Sequence, residues 1–252
     1  MSTTTETTSS TAAPTTTPTV VLVHGAFAES ASWDGVIADL SRRGYRSIAI
    51  ANPLRGLAED AAYLRSIIDS IDGPVVVAGH SYGGSVMSEA AEGADNVTAL
   101  VYIASFHLEP GESTGELAAK YPGGELGPAL APRPFPAADG STGSDLYIKP
   151  EEFRRVFAAD VEPDITDLMA ATQRPIAAKA LEDKATKAAW RTIPSWALIT
   201  TQDLAIPADS MRFMAERAGS HVTQIDASHA VSVSQPAVVA EIIDAAARAT
   251  NH

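Results

Sequence analysis

Cysteine is absent from the 252 residues, which excludes disulfides, thiolate metal sites and a cysteine nucleophile. Basic residues are scarce: 18 Lys and Arg stand against 31 Asp and Glu, a net charge of −13. A nucleic-acid binder needs a basic face, so no nucleic-acid partner is expected. No apolar run approaches the roughly 18 residues of a membrane span, so no membrane partner is expected either. The N-terminus lacks both the basic and the apolar segments of a secretory signal, which predicts a cytoplasmic protein. No H-x-x-x-H spacing or carboxylate cluster marks a metal site. The stretch Gly79–Gly84 lacks the Lys-Ser/Thr pair of a phosphate-binding loop. The expectation is a chain with no metal and no cofactor, working as a monomer or homodimer.

What is present falls into a tail and one large domain. Residues 2–18 hold nine Thr and three Ser among 17 positions, a composition that cannot offset its own ordering entropy. Residues 1–17 therefore read as a disordered tail. Beyond it, short β-branched runs alternate with helical patterns. Strands are predicted at 19–23, 46–51, 75–78, 97–104, 195–201 and 222–225. Helices are predicted at about 32–43, 59–70 and 82–91, and from 235 onward. A run such as Thr19-Val20-Val21-Leu22-Val23, apolar after its first residue, suits a strand covered on both faces. Such alternation predicts an α/β fold: a mostly parallel six-stranded sheet with helices on both faces. A domain of this size buries about three-quarters of its unfolded surface.

The alternation breaks between residues 105 and 190. That stretch is too long for a loop in a compact domain. It carries three helix-like segments, near 150–159, 164–172 and 176–188. The predicted organisation is a core of 18–104 and 191–252, with 105–190 inserted as a helical cap.

Parallel sheets collect ligands at the C-terminal ends of their strands, so the residues just after each strand carry the chemistry. Gly79-His80-Ser81-Tyr82-Gly83 fits G-x-S-x-G. The bare pattern would arise by composition in roughly one such chain in ten; its position between a strand and a helix is what gives it meaning. There it predicts a sharp turn that exposes a serine hydroxyl at a helix N-terminus. A serine needs a base, and the base needs an orienting acid, sought at later strand ends in the order acid, then histidine. His229 follows the sixth predicted strand at the correct edge, whereas His221 precedes it. Asp203 follows the fifth strand; Asp226 is the alternative acid. Ser81, Asp203 and His229 are thus the expected catalytic residues. The expected oxyanion donors are the backbone N–H groups of Tyr82 and Ala26, with Phe27 replacing Ala26 if the loop turns one residue later. His24 and His80 read as structural.

Val21-Leu22-Val23-His24-Gly25-Ala26, Gly79–Gly84, Asp203-Leu204-Ala205-Ile206-Pro207 and Ser228-His229-Ala230 together resemble the α/β-hydrolase superfamily. The resemblance spans about residues 19–248. It points to the compact branch that holds plant methyl esterases, hydroxynitrile lyases and related bacterial carboxylesterases, whose sheet lacks the first two strands of the larger members. It implies a carboxylesterase with Ser81, Asp203 and His229 as triad, an acyl-enzyme intermediate and a small-molecule ester substrate. The lyases of the branch carry a threonine and a lysine where this chain has Gly25 and Ala230, so that activity is disfavoured. Carbon–carbon bond hydrolysis or cofactor-free perhydrolase chemistry would use the same triad; a non-catalytic ligand receptor would not need all three residues. Ester pockets are mostly apolar, so Phe27, Phe106, Leu108, Tyr147, Phe153, Phe157 and Met169 are the expected substrate-binding residues. If the residues of the insertion serve only as core, substrate selection falls to the loop around Phe27 and the segment after His229.

Overall fold

The computed structural model describes residues 17–137 and 140–250. Most of the tail predicted over 1–17 lies outside the described residues, as does His252. Nine strands are formed among the described residues: β1 (Thr19–Val23), β2 (Ser47–Ile50), β3 (Val75–His80), β4 (Val97–Ile103), β5 (Leu130–Pro136), β6 (Thr142–Ile148), β7 (Ile176–Ala177), β8 (Ser195–Thr200) and β9 (His221–Ile225). Six of them make one sheet in the order β2-β1-β3-β4-β8-β9. Every pairing in it is parallel. All residues of β1, β3 and β8 are buried, which is why their apolar runs do not alternate. β9 lies at the sheet's rim and is mostly exposed, which fits its polar His-Val-Thr-Gln-Ile. Helices Asp34–Arg42 and Pro236–Ala249 pack together, as do Leu57–Asp69 and Tyr82–Ala91.

The chain runs from β1 out to β2, then returns to place β3 on the other side of β1. This reversal opens a crevice beyond the ends of β1 and β3, where open α/β sheets bind ligands. Four non-glycine residues adopt a left-handed backbone among the described residues: Phe27, Leu54, Ser81 and Ala104, with φ of 61°, 60°, 54° and 44°. They follow β1, β2, β3 and β4 respectively. Strain of this kind persists only where surrounding structure over-determines it, and here it gathers at one edge of the sheet.

The segment between β4 and β8 is not wholly helical, as the sequence had suggested. Two of its predicted helices form, at Pro150–Phe157 and Pro163–Thr172; of the third, predicted near 176–188, only Ala178–Glu182 is helical, and Ile176–Ala177 is the strand β7. Beside them stands an antiparallel sheet in the order β5-β6-β7. The sequence of β5, Leu-Ala-Pro-Arg-Pro-Phe-Pro, argues against a strand because proline cannot donate to a ladder. β5 pairs on one side only, and its prolines recur at every second position, so their missing donors fall on the unpaired side. The segment is tied back to the core at several points. Glu89 accepts the backbone N–H groups of Thr186 (2.9 Å) and Lys187 (3.1 Å), and Glu92 accepts that of Ala188 (2.8 Å). Arg55 pairs with Asp145 at 2.7 Å.

Candidate active site

Ser81 sits between β3 and the helix that begins at Tyr82, with φ 54° and ψ −127°. Bonds to neighbouring strand and loop hold this strained turn, beside the one its carbonyl accepts from the Gly84 amide (3.0 Å). The Ser81 N–H donates to the Ile103 carbonyl (3.2 Å), and its carbonyl accepts the Ser105 hydroxyl (2.6 Å). A side chain at Gly83 would place its Cβ 2.3 Å from the Val23 carbonyl oxygen. Glycine is therefore required for the helix to start this close to β1.

The predicted base and acid meet. The Nδ1–H of His229 donates to the Asp203 carboxylate at 2.7 Å, with both side chains essentially inaccessible. Asp203 is held by three further donors: the Thr200 hydroxyl (2.9 Å) and the amides of Ala205 (2.8 Å) and Ile206 (2.9 Å). A carboxylate so satisfied is fixed in place and acts as an acceptor only. The alternative acid, Asp226, is exposed and bonded to the Thr201 hydroxyl. His221 stacks on Trp196 at the opposite end of the sheet, ring centroids 4.9 Å apart.

The loop after β1 separates its two candidate donors. Phe27 donates its N–H to the Arg174 carbonyl at 2.9 Å, so that amide is already engaged. The amides of Ala26 and Tyr82 have no hydrogen-bond partner among the described residues. His24 braces the loop from beneath. Its Nε2 accepts the Asn52 amide (3.0 Å), so its Nδ1–H donates to the Gly25 carbonyl (2.8 Å). Burial, its largest influence, holds His24 down to about 4 and so neutral.

Ser81, Tyr82, Ala26 and His229 line one narrow cavity of about 50 Å³, walled by apolar side chains. Of the predicted substrate-binding residues, Phe27 and Phe106 line it. The others do not. Leu108 is buried and its carbonyl accepts the Trp190 indole N–H. Phe153 and Phe157, four residues apart, share a buried helix face, centroids 5.1 Å apart. Phe157 also stands edge-on to His229 at 4.9 Å. Tyr147 lies under the Arg133 guanidinium on the antiparallel sheet. Met169 lines a separate groove that Phe27 also borders. The inserted segment contributes instead Thr114, Ala118, Leu126 and Leu181.

Several supporting contacts had no signal in the sequence, which gave His80 a structural part but no partner. The His80 Nε2–H donates to the His229 backbone carbonyl at 2.8 Å, and the two rings lie 4.7 Å apart. Burial, then the neighbouring His229, hold His80 well below the ordinary histidine range. The Phe157 carbonyl accepts the Ala230 amide (2.8 Å) and the Ser228 hydroxyl (3.3 Å), clamping the loop that carries His229. The Tyr82 hydroxyl donates to buried Asp60 at 2.8 Å. These bonds join residues 22 to 149 positions apart.

A model of the alpha/beta hydrolase family matches residues 20–242. The alpha/beta hydrolase nvfD of Aspergillus novofumigatus is 27% identical over 252 residues, covering 91% of this chain and 96% of its own. Among solved structures, polyneuridine aldehyde esterase aligns with a TM-score of 0.79 at 18% identity, over 91% of this chain and 99% of that one. The methylesterase protein MES16 from Arabidopsis aligns with a TM-score of 0.75 at 18% identity, over 92% and 99%. At such identities these structures speak for the fold. With its six parallel strands, the serine turn after β3 and a family match across nearly all of that framework, the chain belongs to the alpha/beta hydrolase family.

Proposed function

We propose that the protein is a serine carboxylic ester hydrolase acting on small-molecule esters. One observation carries this reading: a histidine fixed by a buried aspartate at 2.7 Å lines the same cavity as a serine held in a strained turn. A serine hydroxyl is a weak nucleophile until a base takes its proton. In the proposed mechanism Ser81 Oγ attacks the ester carbonyl carbon while His229 Nε2 accepts the hydroxyl proton. Asp203 stabilises the imidazolium. The N–H groups of Ala26 and Tyr82 receive the negative oxygen, each contributing about 3–4 kcal/mol. His229 then protonates the departing alkoxide, leaving an acyl-enzyme on Ser81. Water, activated by the same histidine, releases the acid.

The two solved relatives named as esterases share this fold, which supports the reaction class. A lyase that relies on a threonine at position 25 is disfavoured. Any side chain there would set its Cβ 2.6 Å from that of Ser81. Ala230 carries no cation to receive a departing anion. The inserted segment supplies the apolar wall opposite Ser81 and acts as a cap.

Burst release of p-nitrophenol from p-nitrophenyl acetate tests the acyl-enzyme. The expected result is a burst near one equivalent of enzyme, with turnover falling on the order of 10⁴–10⁶ in Ser81→Ala and thermal unfolding nearly unchanged. Activity within tenfold of the parent would overturn the assignment.

A further inference from the structure

Two spaces meet at Phe27. One is the cavity of about 50 Å³ around Ser81; the other is a groove of about 410 Å³ between residues 27–34 and the helix Pro163–Thr172. Only the second has the volume of a small-molecule binding pocket. Its helical wall is unusual for an outer helix. Ile165 and Leu168 are 45% and 67% exposed and, with Met169, turn an apolar stripe into the groove at i, i+3, i+4 spacing. The opposite rim carries Glu29 and Asp34, which would repel an anion.

The groove adjoins the two segments that carry His229 and the Ala26 amide, sharing Phe27 with the cavity at Ser81. In ester hydrolysis the histidine delivers its proton to the departing alkoxide, so the alcohol half faces the histidine. Val233, four residues beyond His229, lines the groove, and so does Phe27, one residue beyond Ala26. Phe27 is itself a constrained partition. Its backbone is left-handed and its amide is held by Arg174, next in the chain to Gln173 of the groove wall.

We infer that the substrate is an ester of unequal halves: a short acyl group seated at Ser81 and a bulky, uncharged, apolar alcohol half lying across Phe27 in this groove. The inference rests on the ester-hydrolase reading and adds the substrate class and its orientation. Phe27 is then the specificity-determining residue between the halves.

A pair of isomers tests it. Cyclohexylmethyl acetate and methyl cyclohexylacetate contain the same atoms with the bulky group on opposite sides of the ester. The parent enzyme is expected to show kcat/KM at least about tenfold higher for the acetate. Leu168→Asp, at an exposed position that the core does not need, is expected to cut that ratio by about tenfold with an unchanged melting temperature. Tyr63→Asp makes the same kind of change at an exposed site outside the groove and should leave the ratio intact. Equal or reversed preference between the isomers, or a ratio that Leu168→Asp does not move, would overturn the inference. If neither isomer nor p-nitrophenyl acetate is hydrolysed in a Ser81-dependent way, the ester-hydrolase reading fails first and the inference falls with it.

Discussion

Four hydrogen bonds converge on the Asp203 carboxylate, and one of them comes from His229. Removing the charge while keeping the shape isolates its proposed role. In Asp203→Asn an amide N–H can face Nδ1, which favours the wrong histidine tautomer. The expected outcome is a kcat lower by roughly 10³–10⁴ with little change in stability, measured by steady-state ester hydrolysis and thermal melting. A larger loss in Asp226→Asn than in Asp203→Asn would move the acid. That Ser81, Asp203 and His229 stand beyond strand ends at one edge of the sheet was legible in the sequence, because each follows a predicted strand. Thr200, Asp60 and the partner of His80 were not. Their partners are set by how strands lie side by side, and sequence spacing carries no trace of a bond such as that from His80 to a carbonyl 149 residues away.

At the scale of elements, the helix Pro150–Phe157 shows how local and distant information differ. Its place was readable, near 150–159, and the structure ends it at Phe157; proline in its first turn, acids after it and arginines near its end suit those bounds. Its apolar face was also readable, from Phe153 and Phe157. What that face covers was not, and it lies against the His229 loop rather than against the cavity at Ser81. Phe153 is fully buried. Phe153→Ala should lower unfolding free energy by about 3–5 kcal/mol in denaturant titration and leave the kcat/KM ratio between short and bulky acyl esters unchanged. A shifted ratio with stability intact would make Phe153 a pocket residue. The strand β5 escaped the sequence reading because alternate prolines mask a rim strand, and β6 because its opening Thr-Gly-Ser-Asp has the composition of a turn. The tie between Glu89 and the 186–187 backbone escaped it because both ends look like ordinary surface.

For the whole molecule, the inner strands β1, β3, β4 and β8 followed from apolar runs, since a parallel strand buried on both faces leaves a plain mark in sequence, while the rim strands β2 and β9 followed from the alternation of strand and helix around them. A consequence of that deep burial appears in the histidines. Burial, their largest influence, lowers His24 to about 4 and His107 to about 3, and holds His80 well below the usual range. An unfolded histidine titrates near 6.5. Between that value and the folded ones, the unfolded chain binds protons that the folded chain refuses. Stability from these groups is therefore complete above about pH 6.5 and is lost as pH falls through the window toward 4 and 3. Asp60, raised chiefly by burial, works in the opposite direction. Differential scanning calorimetry should show the melting temperature falling from pH 7.5 to 4.5, less steeply in His107→Gln. A melting temperature flat or rising over that range would contradict the buried neutral histidines.

The central claim is that Ser81 is the nucleophile. An active-site-directed p-nitrophenyl alkylphosphonate, followed by mass spectrometry of the digested protein, tests it most directly. The serine attacks phosphorus, p-nitrophenolate leaves, and a stable phosphonyl ester remains on Oγ. The account predicts one equivalent of label, on the peptide containing Gly79-His80-Ser81-Tyr82-Gly83, and none on Ser81→Ala or on the His229→Ala protein in the same time. Label on another residue, or an unlabelled protein that still hydrolyses esters, would contradict it.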